Sequence, residues 1–203
     1  MVYLKPYFRL LSSFAMFNMF TPQKGSLLLS EPFMLDSNFE RSVILLCEHD
    51  IQNGTMGLVL NNRSALLLSD VIQEVHNQQF PLYIGGPVNM EALFFIHNAP
   101  EKVEGGDQLT DNIYFGGDFQ QALFLIEDKL LQPEDIKFFV GYAGWSPGQL
   151  EEEIAQNSWA VHNKFPPDLL LLQDGDDLWK QALISLGPKY AHVANFPKSP
   201  DLN

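Results

Sequence analysis

Short apolar segments of strand length alternate irregularly with helical patterns, and this order limits the fold more than any other feature of the sequence. The segments are rich in β-branched or aromatic residues and are bounded by Gly, Asn, Asp or Pro, which predicts strands. Asn53-Gly54 predicts a tight turn that joins the first two strands in antiparallel fashion. The predicted strands are Ser42–Cys47, Met56–Leu60, Leu82–Ile84, Leu93–His97, Asn112–Phe115, Ile136–Tyr142 and Leu169–Leu172.

Helical segments lie between these strands and have recognisable start and stop signals. Strands that come in groups separated by single helices, without regular βαβ alternation, indicate an α+β domain with a mixed sheet and helices packed outside it. The predicted helices are Val71–Asn77 capped by Ser69-Asp70, Phe119–Leu131 capped by Asp118, Pro147–Asn157, and Leu178–Leu186 capped by Asp176-Asp177.

The chain of 203 residues has the size of one domain and can bury a substantial core. No linker rich in Pro, Gly or Ser divides it, so we predict a single domain over residues 23–203. Residues 1–22 are interpreted as an N-terminal extension. Its basic start and short apolar stretch are weakly typical of a signal peptide, but no small-residue cleavage site follows. We favour a mispredicted start, with Met16 or Met19 as the true one, or a peripheral helix, over secretion.

The charge of the chain excludes some classes of partner. The formal net charge is −13, from 25 acidic and 12 basic residues, and no run of Lys or Arg offsets it. Such a surface repels nucleic-acid backbones and anionic membranes. No apolar run is long enough to predict a transmembrane helix. The single cysteine, Cys47, cannot form an intrachain disulfide, which fits a reducing compartment. We therefore predict a cytoplasmic protein without direct nucleic-acid or membrane contact.

The segment Gly141–Ile154 is the most distinctive stretch of the sequence. We expect a buried strand to end at Val140 and glycine-based turns to follow it. Ser146 and Gln149 have the spacing of a capping box, which predicts the start of a helix. Most positions thus have a structural role. Trp145, expected at the tip of the turn, remains as a candidate for ligand stacking or partner contact.

Cys47 and His49 stand two residues apart on a predicted strand, so we expect them to point to the same face. A histidine beside a thiol can lower its pKa and create a nucleophile or a redox centre. We favour the alternative of a buried inert cysteine and a histidine bonded to a loop, because no third orienting residue is evident. The pair is too small for a zinc site, and the other histidines lack the spacing to complete one, so no metal is predicted.

Glycine pairs and an acidic loop complete the search for chemistry. Gly85-Gly86 and Gly116-Gly117 are interpreted as turns, because Asp118 after the second pair would repel phosphate from the helix start. There is no Walker lysine and no serine-centred nucleophile elbow. Asp174–Asp177 lacks most of the ligands of a calcium loop. The sequence therefore predicts no cofactor.

Several of these segments, taken together and in order, form a specific set. They are Phe39–Val43, Cys47–His49, Gly54–Gly57, Asn61, Gly85–Pro87, Asp111–Tyr114, Gly141–Trp145, Gly148–Ile154, Asn157, Trp159 and Trp179. The set resembles the YqgE/AlgH family of small bacterial proteins, from about Gly25 to the C-terminus. Two segments, Val161–Pro166 and Leu178–Lys180, depart from the family pattern.

The resemblance implies a single α+β domain whose mixed sheet is curled into a pseudo-barrel flanked by helices. Family members are often labelled transcriptional regulators, but no established enzymatic activity or DNA-binding motif comes with the fold. We expect an uncharacterised, non-enzymatic cytoplasmic module that binds or regulates through an unknown protein partner or small ligand. The alternative is a thiol-dependent enzyme or redox sensor that uses Cys47 with His49. The candidate binding residues are Cys47, His49, Asn61, Gly85, Gly86, Tyr142, Trp145 and Gln149.

Overall fold

Strands dominate the computed structural model, which describes residues 20–166, 169–171 and 175–197. The predicted N-terminal extension lies largely outside the described residues. The strands are β1 (Leu27–Ser30), β2 (Val43–Asp50), β3 (Gly54–Val59), β4 (Arg63–Leu67), β5 (Pro81–Ile84), β6 (Val88–His97), β7 (Asp107–Gln108), β8 (Tyr114–Phe115), β9 (Ile136–Trp145) and β10 (Trp159–His162). The helices are α1 (Leu68–Val71), α2 (Phe119–Glu127), α3 (Gln149–Ala155), α4 (Gly175–Ser185) and α5 (Pro188–Ala191), followed by a 3₁₀ turn at Val193–Asn195.

All these strands join one 10-stranded sheet in which β9 is central. The order is β10-β1-β2-β3-β9-β6-β8-β7, and β5 lies beside β9 with β4 on its outer side. β5 and β9 are parallel and the other pairs are antiparallel, so the sheet is mixed. The sheet is curled, but β10 and β7 do not pair in the described part of the chain, so it does not close into a barrel. The predicted α+β single domain with a mixed sheet is confirmed.

One face of the sheet is covered by α4, and we call it the α4 face. Leu178, Trp179 and Ala182 of α4 share a buried cluster with Leu45 of β2 and Leu58 of β3. These α4 residues recur at helical spacing, so a single stripe of the helix enters the core. Burial of this apolar surface is the main force that holds α4 on the sheet.

The opposite face carries two helices, and we call it the α2/α3 face. Leu123 and Ile126 of α2 share a buried cluster with Phe138 of β9. Leu150 and Ile154 of α3, four residues apart, enter a separate cluster farther along the same strand. The two helices therefore cover the two halves of β9.

The helix signals in the sequence succeed in one case and fail in another. Asp118 caps α2 as predicted, because its side chain accepts a hydrogen bond from the Gln121 N–H at 3.0 Å. The predicted helix Val71–Asn77 is wrong, since the helix in this region is α1. Asp70 lies inside its first turn, where the carboxylate accepts the Leu67 N–H at 2.8 Å. An acidic residue at the third helical position accepts the N–H of the N-cap residue, which is the reverse half of a capping box.

The strand signals fail where a segment is buried on both sides. β1 and β10 were not predicted, and all the residues of both are buried, so they show no alternation of polar and apolar positions. The predicted strand Leu169–Leu172 is wrong, because residues 169–171 pack in the core in a turn conformation. Apolar content alone does not distinguish these cases.

Candidate functional site

A bulge in β2 separates the two residues of the predicted thiol site. Cys47 has no partner residue on β3, and an extra residue on one strand reverses the alternation of side chains beyond it. Cys47 therefore lies on the α4 face with Leu45. His49 lies opposite Thr55, which pairs in turn with Trp145 on the α2/α3 face. The prediction that Cys47 and His49 share a face is wrong.

The environment of Cys47 suppresses thiol chemistry. The residue is fully buried, and its Sγ lies 3.7 Å from the carbonyl oxygen of Leu45. Burial raises the pKa of the Cys47 thiol, and the nearby Glu48 carboxylate raises it further, with a smaller opposing effect from Lys24. The thiolate is the reactive form of cysteine, so this thiol is inert in the folded chain.

His49 connects two strands to a helix. Its Nδ1 lies 2.8 Å from Oγ1 of Thr55 on the neighbouring strand β3. Its Nε2 lies 3.6 Å from Oε1 of Glu151 in α3, a distance at which a protonated imidazole forms an ion pair. The arrangement matches the structural interpretation of this histidine better than the role of a base for Cys47.

Trp145 is buried rather than placed at the tip of a turn, with 7% of its surface exposed. Its indole N–H donates to Oε2 of Glu153 at 2.9 Å, and the indole N–H of Trp159 donates to the same oxygen at 2.7 Å. The side-chain amide of Gln149 donates to Oε1 of Glu153 at 2.9 Å. Trp145 is therefore part of a hydrogen-bonded corner, and its ring is not open for a ligand to stack on.

We call Trp145, Gln149, Glu153 and Trp159 the α3 corner. Neither Glu153 nor Trp159 was a candidate binding residue in the sequence. A signal was present, since Gln149 and Glu153 are four residues apart on one helix face. The two tryptophans, however, come together only through the pairing of β10 and β9 with other strands.

The predicted capping box at the start of α3 is half formed. The Ser146 N–H donates to Oε1 of Gln149 at 3.0 Å, as expected for the residue at the end of the box. Gly148, with φ of +76°, occupies the N-cap position and no side chain caps the helix there. The side-chain oxygen of Gln149 therefore accepts the Ser146 N–H, and its side-chain nitrogen donates to Glu153.

Asn61 lies away from the α3 corner and has a structural role. Its side-chain oxygen accepts the Val43 N–H at 2.9 Å, and its side-chain nitrogen donates to the carbonyl oxygens of Arg41 and Gly175 at 2.8 and 3.0 Å. The amide thus ties the start of β2 to the first residue of α4. Because each side-chain atom has a partner, Asn61 is not available to a ligand without breaking this link.

β9 runs to Trp145, beyond the expected end of its buried part at Val140 and beyond the predicted strand bound at Tyr142. Gly141 adopts a left-handed conformation with φ of +66°, and the strand resumes and runs to Trp145. The kink reverses the side-chain alternation, since Phe139 and Tyr142, three residues apart, both pack on the α4 face. This reversal turns Trp145 toward α3.

Gly85 and Gly86 cross β9 at this kink. A Cβ at Gly141 would overlap the carbonyl oxygen of Gly86, and a Cβ at Gly85 would overlap the carbonyl oxygen of Gly141. A Cβ at Gly86 would overlap the backbone of Tyr142. The glycines are therefore required for backbone contact. They leave no room for a phosphate between them.

An exposed apolar surface lies next to this crossing. Val88 and Met90 at the start of β6 are 38% and 46% exposed, and they lie beside Gly144 and Gly141 of β9, respectively. Half-buried side chains of the α4 face continue this surface, and the Tyr142 and Phe94 rings meet edge to face at 5.8 Å. We call Val88, Met90, Phe94, Tyr142 and Met56 the β6 patch.

The strand segments that form the β6 patch hold no basic residue. No Lys or Arg occurs between Phe80 and Glu101 or between Phe138 and Asn163, which together include the start of β6, most of β9 and all of α3. Glu91 on β6 and Glu48 on β2 are exposed near it. Unlike the α3 corner, this surface has apolar groups open to solvent, with exposed acidic side chains beside them.

A buried histidine lies at the far edge of the sheet. His162 of β10 is 3% exposed, and its Nε2 lies 2.8 Å from Oγ of Ser185 in α4. Its Nδ1 is buried without a hydrogen-bond partner in the described residues. Burial lowers the pKa of His162 to about 4, so the ring is neutral near neutral pH.

A metal site and a membrane-spanning helix can each be assessed for the described residues. Across residues 20–166, 169–171 and 175–197, no group of three or more His, Cys, Asp and Glu side chains is arranged to hold a metal ion. Within the same ranges, no helix has the length and apolar character needed to cross a membrane.

The candidate residues therefore fall into separate places. His49, Trp145 and Gln149 belong to the neighbourhood of α3, and Gly85, Gly86 and Tyr142 form the crossing beside the β6 patch. Cys47 and Asn61 are apart from both. Val88 and Met90 were missed, because isolated apolar residues in a sequence do not reveal that they will be exposed.

Comparison of sequences identifies close relatives. The sequence pattern of a family described as AlgH-like matches residues 27–191. A UPF0301 protein of Parabacteroides distasonis is 40% identical over 184 residues, which cover 90% of this chain and 92% of that protein. A UPF0301 protein of Chlorobium phaeobacteroides is 35% identical over 181 residues, which cover 89% of this chain and 96% of that protein.

Solved structures with the same fold are also known. A crystal structure of a protein from Corynebacterium diphtheriae superimposes with a TM-score of 0.71 at 28% identity, and covers 87% of this chain and 94% of its own. The solution structure of the AlgH protein from Pseudomonas aeruginosa superimposes with a TM-score of 0.67 at 29% identity, and covers 86% and 94%. Fold and sequence comparisons thus agree.

Proposed function

This chain belongs to the AlgH-like family, and from that premise we propose that it is a non-enzymatic cytoplasmic module that binds a protein partner through the β6 patch. Any regulatory effect would follow from this binding rather than from direct contact with DNA. The cytoplasmic assignment is supported by the single, reduced cysteine and by the acidic composition.

The exposure of the β6 patch is the observation that carries the proposal. Val88 and Met90 each leave more than a third of their surface in water, although they adjoin half-buried rings of Tyr142 and Phe94. Contiguous apolar surface of this kind costs free energy in a soluble chain and typically marks an interaction site. Methionine and aromatic residues are also enriched at protein interfaces.

The thiol alternative lacks support. Cys47 is fully buried with a raised pKa, and His49 lies on the opposite face of the sheet. A nucleophile must be within hydrogen-bond reach of its base, and His49 instead contacts Thr55. A redox sensor would also need an accessible, low-pKa thiol.

Direct DNA binding is disfavoured by charge. The net charge of −13 opposes a polyanion, since binding to phosphates depends on Lys and Arg. The segments Phe80–Glu101 and Phe138–Asn163, which supply most of the β6 patch, hold no basic residue that could offset this repulsion. A partner protein with a basic surface fits the same region.

Co-purification tests this proposal with matched variants. The untagged protein, the Val88→Asp/Met90→Asp variant and a Leu35→Asp control would be purified in parallel, and co-purifying proteins and small molecules identified by mass spectrometry. Leu35 is 97% exposed and lies in a loop, so its substitution makes the same chemical change at a neutral site. We expect a partner that the wild type and the control retain and the double variant loses.

Two results would contradict the proposal. If the same proteins co-purify with all three preparations, the β6 patch is not the interaction surface. Saturable alkylation of Cys47 in the folded protein, coupled to turnover of a co-purifying small molecule, would restore the enzymatic alternative.

A further inference from the structure

A bulge at the start of β6 turns Met90 toward water. Asn89–Ala92 of β6 lie opposite Gly141 of β9 alone, because the register between the two strands shifts there. Asn89 has a left-handed φ of +51°. The first four residues of β6 are all exposed, instead of alternating between a buried and an exposed side. A bulge redirects the side chains of its strand, and here it places Met90 on the surface.

The Met90 thioether occupies the space that Gly141 leaves for want of a side chain. A Cβ at Gly141 would lie 2.7 Å from Sδ of Met90. The same point lies 3.0 Å from the carbonyl oxygen of Val88, and it would overlap the carbonyl oxygen of Gly86. The sulfur is thus seated on the backbone of β9, while 46% of the surface of Met90 stays exposed.

Met90 is the most exposed sulfur-containing residue in the described part of the chain. Cys47 is fully buried and its pKa is raised, so its thiol is protected from oxidants. Met34 and Met56 are half-buried, and each packs against a buried cluster. Because oxidation of a side-chain sulfur depends on access by the oxidant, Met90 is the sulfur best placed to react.

The charges around the β6 patch do not hinder an uncharged oxidant. Glu91 and Glu48 are exposed near the patch. Lys24 is also close, since it lies 3.4 Å from Asp107, and Asp107 pairs with Phe115 in the sheet. Hydrogen peroxide carries no charge, so neither the carboxylates nor the ammonium group repels it.

The reaction is a two-electron oxidation of the thioether. A lone pair of Met90 Sδ attacks one oxygen of hydrogen peroxide, so an S–O bond forms and the O–O bond breaks. The leaving hydroxide takes up a proton and departs as water. One thioether and one peroxide therefore give one sulfoxide and one water, and the peroxide is the species reduced. Methionine sulfoxide is polar and can be reduced again enzymatically.

The added oxygen points away from the sheet. A sulfoxide oxygen carries partial negative charge, and the carbonyl oxygens of Gly86 and Val88 lie on the inner side of the sulfur. Like partial charges repel, so the new oxygen faces the solvent. There it is a hydrogen-bond acceptor in the middle of an apolar surface. A partner that covers this surface must remove water from the acceptor, which costs free energy.

We propose that Met90 is an oxidation site that controls the β6 patch: peroxide converts its thioether to the sulfoxide and so weakens the binding of the partner protein. This inference rests on the proposed function, since it names a regulation of the same surface. The bulge and Gly141 hold the sulfur at the surface, and the burial of Cys47 keeps the thiol out of the reaction.

The first experiment locates the oxidation. The full chain is treated with increasing concentrations of hydrogen peroxide and digested, and mass spectrometry gives the sulfoxide fraction at each methionine. We expect Met90 to be converted at concentrations that leave Met34 and Met56 unchanged. Circular dichroism of the treated protein shows whether the fold is retained.

The second experiment uses Met90→Leu, which keeps an apolar side chain of similar size and cannot be oxidised. Retention on a hydrophobic-interaction column reports the apolar surface without need of a partner. We expect oxidised wild type to elute earlier, close to untreated Val88→Asp/Met90→Asp, and Met90→Leu to shift much less. Methionines before Phe20 are present in both proteins, so their oxidation affects both equally. Treatment with methionine sulfoxide reductases should restore the retention of the wild type.

The third experiment repeats the co-purification with oxidised protein. We expect oxidised wild type to lose the partner that oxidised Met90→Leu retains. The inference is wrong if Met90 is converted no earlier than Met34, if wild type and Met90→Leu shift equally on the column, or if oxidised wild type keeps its partner. In the last case, loss of the partner by Val88→Asp/Met90→Asp would leave the proposed function standing.

Discussion

Trp145 and Trp159 meet edge to face, with ring centroids 5.9 Å apart and an interplanar angle of 82°. One carboxylate oxygen of Glu153 accepts both of their indole N–H groups. The end of β9, the edge strand β10 and α3 are joined at this point. The most distinctive part of the sequence therefore builds a rigid support beside the exposed surface, rather than a binding loop.

Removal of the Glu153 carboxylate should destabilise the fold. Glu153→Ala leaves two buried indole N–H donors without an acceptor, and each unsatisfied donor costs about 1–3 kcal/mol. We expect a loss of about 3 kcal/mol in the free energy of unfolding, measured by urea denaturation. The control is Glu152→Ala, an exposed neighbour on the same helix, which should change it by less than about 0.5 kcal/mol. Equal losses in the two variants would contradict the assigned role.

Alanine at Gly141 should be far more damaging than alanine at Gly148. Both glycines have left-handed φ values, so both variants pay the same conformational cost of about 1–2 kcal/mol. A Cβ at Gly141 also overlaps the Gly86 carbonyl, whereas nothing lies within 4 Å at Gly148. We expect Gly141→Ala to unfold at a midpoint clearly below that of Gly148→Ala in parallel thermal melts. Equal unfolding midpoints for the two variants would show that the backbones of Gly86 and Gly141 can move apart without loss of stability.

The Cys47 thiol should react with an aromatic disulfide reagent only as fast as the protein unfolds. Burial raises its pKa and blocks access, so labelling requires opening of the sheet around β2. The measurement is the labelling rate across increasing urea, compared with global unfolding followed by circular dichroism. Fast labelling in the native baseline would identify an accessible thiol. Cys47→Ala should leave partner binding at the β6 patch unchanged, because the fully buried Cys47 is not part of that patch.

Stability should fall as the pH drops from about 6.5 toward 4, in part because of His162. The folded state holds the pKa of His162 at about 4, whereas in the unfolded chain it lies near the ordinary histidine value of 6.5. Between these values the unfolded state binds more protons, so acidification favours unfolding. The full difference corresponds to about 3 kcal/mol. Burial also lowers the pKa of His97, which acts in the same direction.

Urea titrations at several pH values check the contribution of His162. His162→Gln removes this titration, so its unfolding free energy should depend less steeply on pH in the same window than that of the wild type. His97 contributes to the slope in both proteins. Parallel pH curves for the variant and the wild type would show that His162 does not titrate differently on unfolding.

Much of the fold was predictable because its signals are local. Asp118 caps α2, and the cores of β2, β3 and β9 follow from short apolar segments with clear boundaries. Where a segment has one buried face, its own sequence carries the pattern. The mixed α+β architecture needed only the order of such segments.

The features that failed depend on distant partners. The bulge at Cys47 exists because of its register with β3, and the left-handed turn at Gly141 exists because Gly86 crosses there. Each of these irregularities reverses the alternation of side chains along its strand. The expectation that residues two apart share a face therefore places the side chains after the irregularity on the wrong face. For the same reason, Cys47 and His49 looked like a pair and are not.

The candidate site was harder to predict than the fold. Val88 and Met90 are ordinary strand residues in the sequence, and their exposure accompanies the bulge of β6 between Val88 and Leu93, which the sequence does not reveal. Glu153 resembles its exposed acidic neighbours until Trp159 is placed next to it. In both cases the property depends on how strands distant in the sequence pair with each other.

The position of β9 also determines how the molecule can assemble during folding. This strand comes late in the chain, yet β3, β5 and β6 all pair with it. β3, β5 and β6 precede β9 in the chain and cannot complete their pairing until β9 is in place. Pairing between strands far apart in the sequence slows folding, because long loops must close first. We expect pulsed hydrogen exchange during refolding to show β3, β5 and β6 gaining protection together with β9. Protection of β5 and β6 before β9 would contradict this order of events.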